Sequence, residues 1–86
     1  MATERTTVRV LAFARIRELL GFSERTIDVP AGSTLEALWE TFAAGHPEIA
    51  SLRASTRFAR NGTVAAGESR VVNGDEIALL PPVGGG

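Results

Sequence analysis

The stretch Ala31 to Pro47, AGSTLEALWETFAAGHP, constrains this chain more than any other. Leu35, Leu38, Trp39, Phe42 and Ala43 recur at the spacing of one helix face, with Glu36, Glu40 and Thr41 on the other side. Ser33 stands at an N-cap position three residues before Glu36, the spacing of a capping box. Gly45 supplies a left-handed exit and Pro47 blocks continuation. The pattern predicts one main helix over about 34–44, carrying most of the aromatic surface of a chain with one tryptophan and four phenylalanines. Such an apolar stripe must be buried against another layer, and the flanking sequence offers strands for it.

Before the helix, TVRVLAF alternates, with Val8, Val10 and Ala12 on one face and Arg9, Leu11 and Phe13 on the other. RIRELLG then gives one or two helical turns through Ile16, Leu19 and Leu20, stopped at Gly21, and ERTIDVP alternates through Ile27 and Val29 to Pro30. After the helix, the stretch around EIASLRAST offers only a weak second helix. RFARNG predicts a short strand with Phe58 inward and a turn at Asn61-Gly62, and a second turn at Asn73-Gly74 precedes the last strand, DEIALL. In that strand Ile77 and Leu79 are expected to face the helix and Glu76, Ala78 and Leu80 to face away. The order is that of an α+β domain, and the economical solution is a ubiquitin-like β-grasp: a mixed sheet of four to five strands with the main helix packed on one face. Residues 1–7 are expected to fray, 8–80 to form the domain, and 81–86 to leave it as an extended, flexible tail.

Composition excludes more than it selects. With 86 residues and a net charge of -1, the chain is one small domain with no electrostatic case for nucleic acid or an anionic membrane as its main partner. No apolar run approaches a membrane span and the first residues lack a signal pattern, so a cytoplasmic location is expected. The absence of cysteine excludes disulfides, thiolate metal sites and a cysteine nucleophile. The sole histidine, His46, sits in a helix exit with no second ligand at metal spacing, so no metal site is expected. Asp75 and Glu76 are adjacent and point to opposite faces of a strand, which rules them out as an acid-base pair. GSTLE lacks P-loop spacing, and Ser33, Ser51, Ser55 and Ser69 have no base beside them in the sequence. These residues predict a protein with no active site of its own and no permanently bound cofactor. All nine basic residues are arginine. A GC-rich genome or a warm habitat accounts for that, and its chemical corollary is that only the α-amino group remains as an amine for self-acylation.

If the first and last strands lie side by side, Leu11, Phe13, Ala78 and Leu80 form an apolar patch on the uncovered face of the sheet, a surface fit for a protein partner. The chain then ends LLPPVGGG. Pro81 and Pro82 have no amide hydrogen and fix φ, which ends the ladder and launches the chain outward. Val83, Gly84, Gly85 and Gly86 offer a narrow thread, and the six residues from Pro81 reach roughly 20 Å at about 3.3 Å each. The last functional group is the Gly86 carboxylate, inert until it is activated as an acyl adenylate, when a sulfur donor could convert it to a thiocarboxylate.

VLAFARIRELLG and NGDEIALLPPVGGG resemble the molybdopterin synthase small subunits, β-grasp sulfur carriers of the MoaD/ThiS family. The likeness runs from about Val8 to Gly86. It rests on Phe13, Ala14, Arg17, Glu18 and Leu19 after the first strand, and on Pro81, Pro82, Val83, Gly84, Gly85 and Gly86 at the end. The resemblance implies that an E1-like adenylating enzyme uses MgATP to activate Gly86 and that a sulfur-donor enzyme supplies the sulfur. The tail then enters the large synthase subunit and sulfur passes to a cyclic pyranopterin precursor, two carriers serving a dimer of large subunits. It makes Gly85 and Gly86 the reactive end and Phe13 and Leu80 apolar contacts. Gly84 in the variable position of Pro-Pro-Val-x-Gly-Gly, and Ala12 and Leu80 where related chains often carry larger aromatics, depart from the pattern. A sulfur carrier of another pathway (thiamine, cysteine or tRNA thiolation) would share this ending, and a β-grasp interaction module would need no activation.

Overall fold

A computed structural model describes residues 4–82 of the chain. Val83, Gly84, Gly85 and Gly86, and with them the reactive end expected from the sequence, lie outside the described residues.

Strand β1 (Arg5–Ala12) is followed by the short helix α1 (Ala14–Leu20), strand β2 (Glu24–Pro30) and the main helix α2 (Leu35–Gly45). A 3-10 helix (Pro47–Ser55) takes the weakly helical stretch, and β3 (Arg57–Arg60), β4 (Thr63–Ala65) and β5 (Glu76–Leu80) complete the chain. The strands form one sheet in the order β2-β1-β5-β3-β4. Only β1 and β5 run parallel, at the centre, and the other pairs are antiparallel. This is the β-grasp arrangement expected from the sequence. β1 begins at Arg5 rather than Val8, because Arg5, Thr6 and Thr7 pair with Pro30, Val29 and Asp28, so the described part of the stretch expected to fray belongs largely to the ladder.

The core forms as the alternation requires. Val8, Val10 and Ala12 of β1, Ile77 and Leu79 of β5 and Phe58 of β3 are buried against Leu35, Leu38, Trp39 and Phe42 of α2. Trp39 meets Phe58 edge-on, with ring centroids 6.3 Å apart, and Phe42 meets Phe22 at 5.6 Å. Each large aromatic burial removes on the order of 150–250 Å² from water.

Both ends of α2 differ from the sequence expectation. The N-cap is Thr34, whose Oγ1 accepts the Ala37 amide at 3.0 Å, while the Ser33 hydroxyl donates back to the Pro30 carbonyl at 2.6 Å. The reason is long-range: the Val71 amide donates to the Ser33 carbonyl and Thr34 bridges Arg70, so Ser33 is held in a ladder and the helix starts one residue later. The next two amides, of Leu35 and Glu36, donate to the carbonyls of Ser69 and Gly67, so the 67–71 segment satisfies donors that a capping box would have taken. Glu36 turns instead to Arg53, which grips it with Nε and Nη2 at 2.8 and 2.7 Å, donates Nη1 to the Thr56 carbonyl and lies over the Phe58 ring. That guanidinium holds the Glu36 carboxyl below its ordinary range. A Cβ at Gly67 would stand 2.6 Å from a Glu36 carboxylate oxygen and 3.1 Å from Arg53 Nη2, so a side chain there would have to displace this ion pair. At the other end Gly45 is the last helical residue and is not left-handed; the exit is made by His46, at φ -139°.

Asp75 organises the entry to β5. It is buried, and its carboxylate accepts from Arg60 Nε at 2.6 Å, the Val72 amide at 2.8 Å and Asn61 Nδ2 at 2.9 Å. Burial alone would push this carboxyl up, but the Val72, Asn61 and Arg60 hydrogen bonds outweigh it and hold the group below the ordinary carboxylate range. A carboxyl depressed on folding adds stability above its unfolded pKa and loses it as pH falls through the folded value. Asp75→Asn is therefore expected to cost about 1–3 kcal/mol at neutral pH, read from urea midpoints, with the deficit shrinking progressively in acid. An equal deficit at all pH values would remove the carboxylate from this role.

Candidate functional site

The parallel ladder of β1 and β5 sets Arg9 beside Glu76, Leu11 beside Ala78 and Ala12 beside Leu79. With Val10, Ala12, Ile77 and Leu79 committed to the core, Leu11 and Ala78 are neighbours on the opposite face, both half-buried. On the other flank of β5, Ala78 pairs with Ala59 and Leu80 with Arg57, and Ala59 in turn pairs with Val64 of β4. The uncovered face thus carries an apolar row, Leu11-Ala78-Ala59-Val64, crossing four strands. Leu80 lies one step further toward the end of β5, and Phe13, just past β1, is 40% exposed.

The polar border of the row is ordered. On β1 and β5, Arg9 pairs with Glu76 and lies 3.4 Å from Glu24, which itself stands opposite Leu11 on β2. The Glu76 hydrogen bond, then the Glu24 charge, raises the Arg9 guanidinium further above its ordinary value. Beyond Leu80 the exposed Arg57 closes the other side.

The residues that follow the two central strands meet again at the root of the tail. Pro81 and Pro82 line a groove of about 220 Å³ with Ala14, Arg15 and Ile16 of α1 and Leu52, Ser55 and Thr56 from the end of the 3-10 helix. Phe13 is the N-cap of α1, in extended conformation, and its carbonyl accepts the Arg17 amide at 3.2 Å. The chain turns from strand to helix through Ala14, at φ 52°, a left-handed conformation that costs an L residue on the order of 1 kcal/mol. This strained alanine is where the chain changes direction between Phe13 on one side and the groove on the other.

Four of the expected contact residues, Leu11, Phe13, Ala78 and Leu80, therefore stand at the same end of the central strands, and Pro81 and Pro82 begin beside them. Val83 and Gly84 lie outside the described residues. Ala59 and Val64 were not anticipated: Ala59 follows from the alternation of RFAR once Phe58 faces inward, whereas the three-residue strand around Val64 is too short to announce itself. The groove residues Leu52, Ser55 and Thr56 were likewise hidden in a stretch without clear periodicity. No group of His, Asp and Glu side chains suited to a metal occurs among the described residues, nor is any helix there long and apolar enough to cross a membrane.

The fold and this face define a ubiquitin-like β-grasp domain in which Pro81 and Pro82, following the last strand, lie beside an apolar sheet surface. Comparison with known proteins gives the family: the ThiS family pattern matches residues 10–86, and the chain belongs to that family. It is 39% identical over 82 residues to the molybdopterin synthase sulfur carrier subunit of Homo sapiens, covering 92% of this chain and 93% of the human protein. It is 32% identical over 82 residues to small archaeal modifier protein 1 of Haloferax volcanii, covering 86% of this chain and 94% of that one. Among solved structures it is similar to a putative molybdopterin converting factor subunit 1 from Pyrococcus furiosus, with a TM-score of 0.81 and 28% identity over 91% of this chain and 99% of that one.

The left-handed Ala14 gives a direct test of the turn. Ala to Gly inside a helix ordinarily costs about 1 kcal/mol, but Ala14→Gly is expected to leave stability unchanged or raise it by a few tenths of a kcal/mol. A full helical penalty in the thermal or urea midpoint would place Ala14 in ordinary right-handed helix.

Proposed function

We propose that this chain is a sulfur carrier, the small subunit of a molybdopterin synthase. An E1-like adenylating enzyme uses MgATP to join the Gly86 carboxylate to AMP, releasing pyrophosphate. A sulfur-donor enzyme then delivers sulfur at the hydrosulfide level to the acyl carbon, AMP leaves with the electron pair of the broken C–O bond, and a thiocarboxylate remains. The tail enters the large synthase subunit and gives up its sulfur to a cyclic pyranopterin precursor, two carriers completing a heterotetramer with a dimer of large subunits in the cytoplasm. Neither ATP nor a metal is held by the carrier itself in this cycle.

The observation that carries the proposal is the juxtaposition of the apolar row with the tail root. Ordering a six-residue tail in a narrow slot costs on the order of 1–2 kcal/mol per residue, so binding energy must come from a surface close to where the tail starts. Leu11, Phe13, Ala78 and Leu80 supply that surface, and the double-glycine ending supplies the thread. The likeness to named molybdopterin synthase carriers favours this pathway among those sharing such an end.

Incubation with the adenylating enzyme, MgATP and a sulfur source is expected to replace one oxygen by sulfur at the C-terminus, seen by mass spectrometry. Absence of that change, or full activity after deletion of Gly85 and Gly86, would overturn the carrier function. Because the two half-buried positions face each other across the central ladder, Leu11→Asp together with Ala78→Asp is expected to cost about 1–3 kcal/mol, and binding is compared under conditions where urea melts show both proteins folded. The same pair should weaken binding to the large subunit by at least about tenfold, measured by calorimetry. Wild-type affinity would move the docking surface elsewhere.

The likeness to a small archaeal modifier protein favours a second reading, transfer of the activated Gly86 to amines of other proteins. Covalent adducts on target lysines with no sulfur transfer to the pterin precursor would select it.

A further inference from the structure

The outer face of the sheet changes character within one step along its central strands. Leu11 and Ala78 are apolar, and the residues two before them on the same face, Arg9 and Glu76, are an ion pair. Arg9 Nη2 meets Glu76 and Arg9 Nη1 lies 3.4 Å from Glu24. Among the described residues Arg9 is the only arginine shared by two carboxylates. Stability does not explain the cluster. The Arg9 and Glu24 side chains are about half exposed, Glu76 is more than a third exposed, and ion pairs so open to water contribute little to folding. The strands that the cluster spans are already joined by their ladders.

Its position does explain it. Glu24 is the ladder partner of Leu11, which sets their Cβ atoms about 5 Å apart, and Glu76 precedes Ala78 on the same face by about 7 Å. Leu11 and Ala78 are themselves ladder partners. A protein surface that covers these two apolar residues therefore reaches both carboxylates and strips water from them. A carboxylate that loses water with no cation beside it opposes association, whereas one already paired before docking keeps its partner as the water leaves. The planar guanidinium presents donors on two sides, so a single cation serves both acids.

We propose that Arg9 is a positioning residue for docking: it gathers Glu24 and Glu76 and compensates their charge, so that the large subunit can cover Leu11 and Ala78 without leaving a carboxylate dry and unpaired. Arg9 acts through the two acids, not through a contact of its own with the partner. The proposal rests on the docking surface described above. It makes a distinctive demand, because the arginine is needed only while the two carboxylates are present.

The test is calorimetric titration of the full chain with the large subunit at one fixed salt concentration. Arg9→Gln is expected to weaken binding at least about tenfold. Adding Glu24→Gln and Glu76→Gln to Arg9→Gln removes the charges that needed a cation and is expected to restore affinity to within about threefold of wild type. A direct contact between Arg9 and the partner, or damage to the strand, would not be repaired in this way. Arg25→Gln removes the same unit of charge from the helix side of the sheet, where Arg25 stands opposite the buried Val10 and lies over the Phe22 ring, and is expected to bind as wild type does. Urea melts establish that each variant is folded at the titration temperature. Unchanged or tighter binding by Arg9→Gln would overturn the proposal, as would no recovery in the triple variant or an equal loss in Arg25→Gln. Failure of the wild type to bind the large subunit would remove the docking surface itself, and this role with it. Wild-type binding that ignores Arg9→Gln would remove the role of Arg9 alone.

Discussion

The parallel pairing of β1 with β5 is the constraint on which the rest of the molecule depends. Two strands from opposite ends of the sequence run in the same direction at the centre of the sheet, so the residues that follow each emerge at the same edge. Phe13 and Ala14 after β1 therefore sit with Leu80 and Pro81 after β5. An antiparallel pairing would have put the tail root beside Arg5, far from the apolar end of β1. The alternation of side chains then sorts the same two strands into a core face under α2 and an outer row, with no further instruction from the sequence.

The two ends of this central pair differ in chemistry. At the start of β5, Asp75 gathers Arg60, Asn61 and the Val72 amide, and its carbonyl accepts the Arg9 amide at 2.9 Å, tying three separate segments to the beginning of the ladder. At the far end the described residues beside the last strand are largely apolar: Leu11, Phe13, Leu80 and two prolines, next to a groove. Register is thus fixed where the strand begins, by groups whose loss is costly once buried. The other end is left to surface contacts that a partner can exchange for its own.

Much of this was legible in the sequence because it rests on local periodicity. The stripe from Leu35 to Phe42, the alternation of Val8 to Phe13 and the inward Ile77 and Leu79 are properties of single segments. The details that escaped come from distant ones. Ser33 and Glu36 have the spacing of a capping box, yet the cap passes to Thr34 because residues 67–71 donate and accept along that stretch, and Glu36 is claimed by an arginine 17 residues away. Gly45 looks like a left-handed stop and is not, since the 3-10 helix at Pro47 continues the chain in another direction. The outer row was half visible. Leu11 and Ala78 follow from strand alternation, but Val64 joins only through a chain of pairings that no local pattern encodes.

The direction of the central strands has one more consequence. A pull on Pro81 along the axis of β5 is resisted on both sides, by β1 and by β3, and it slides β5 against its neighbours rather than peeling it away. Hydrogen bonds loaded in this way share the force and fail together, whereas a peeled hairpin opens one bond at a time. Tension applied at Pro81 is accordingly borne by the ladder on both sides at once, so the last strand doubles as a mechanical anchor.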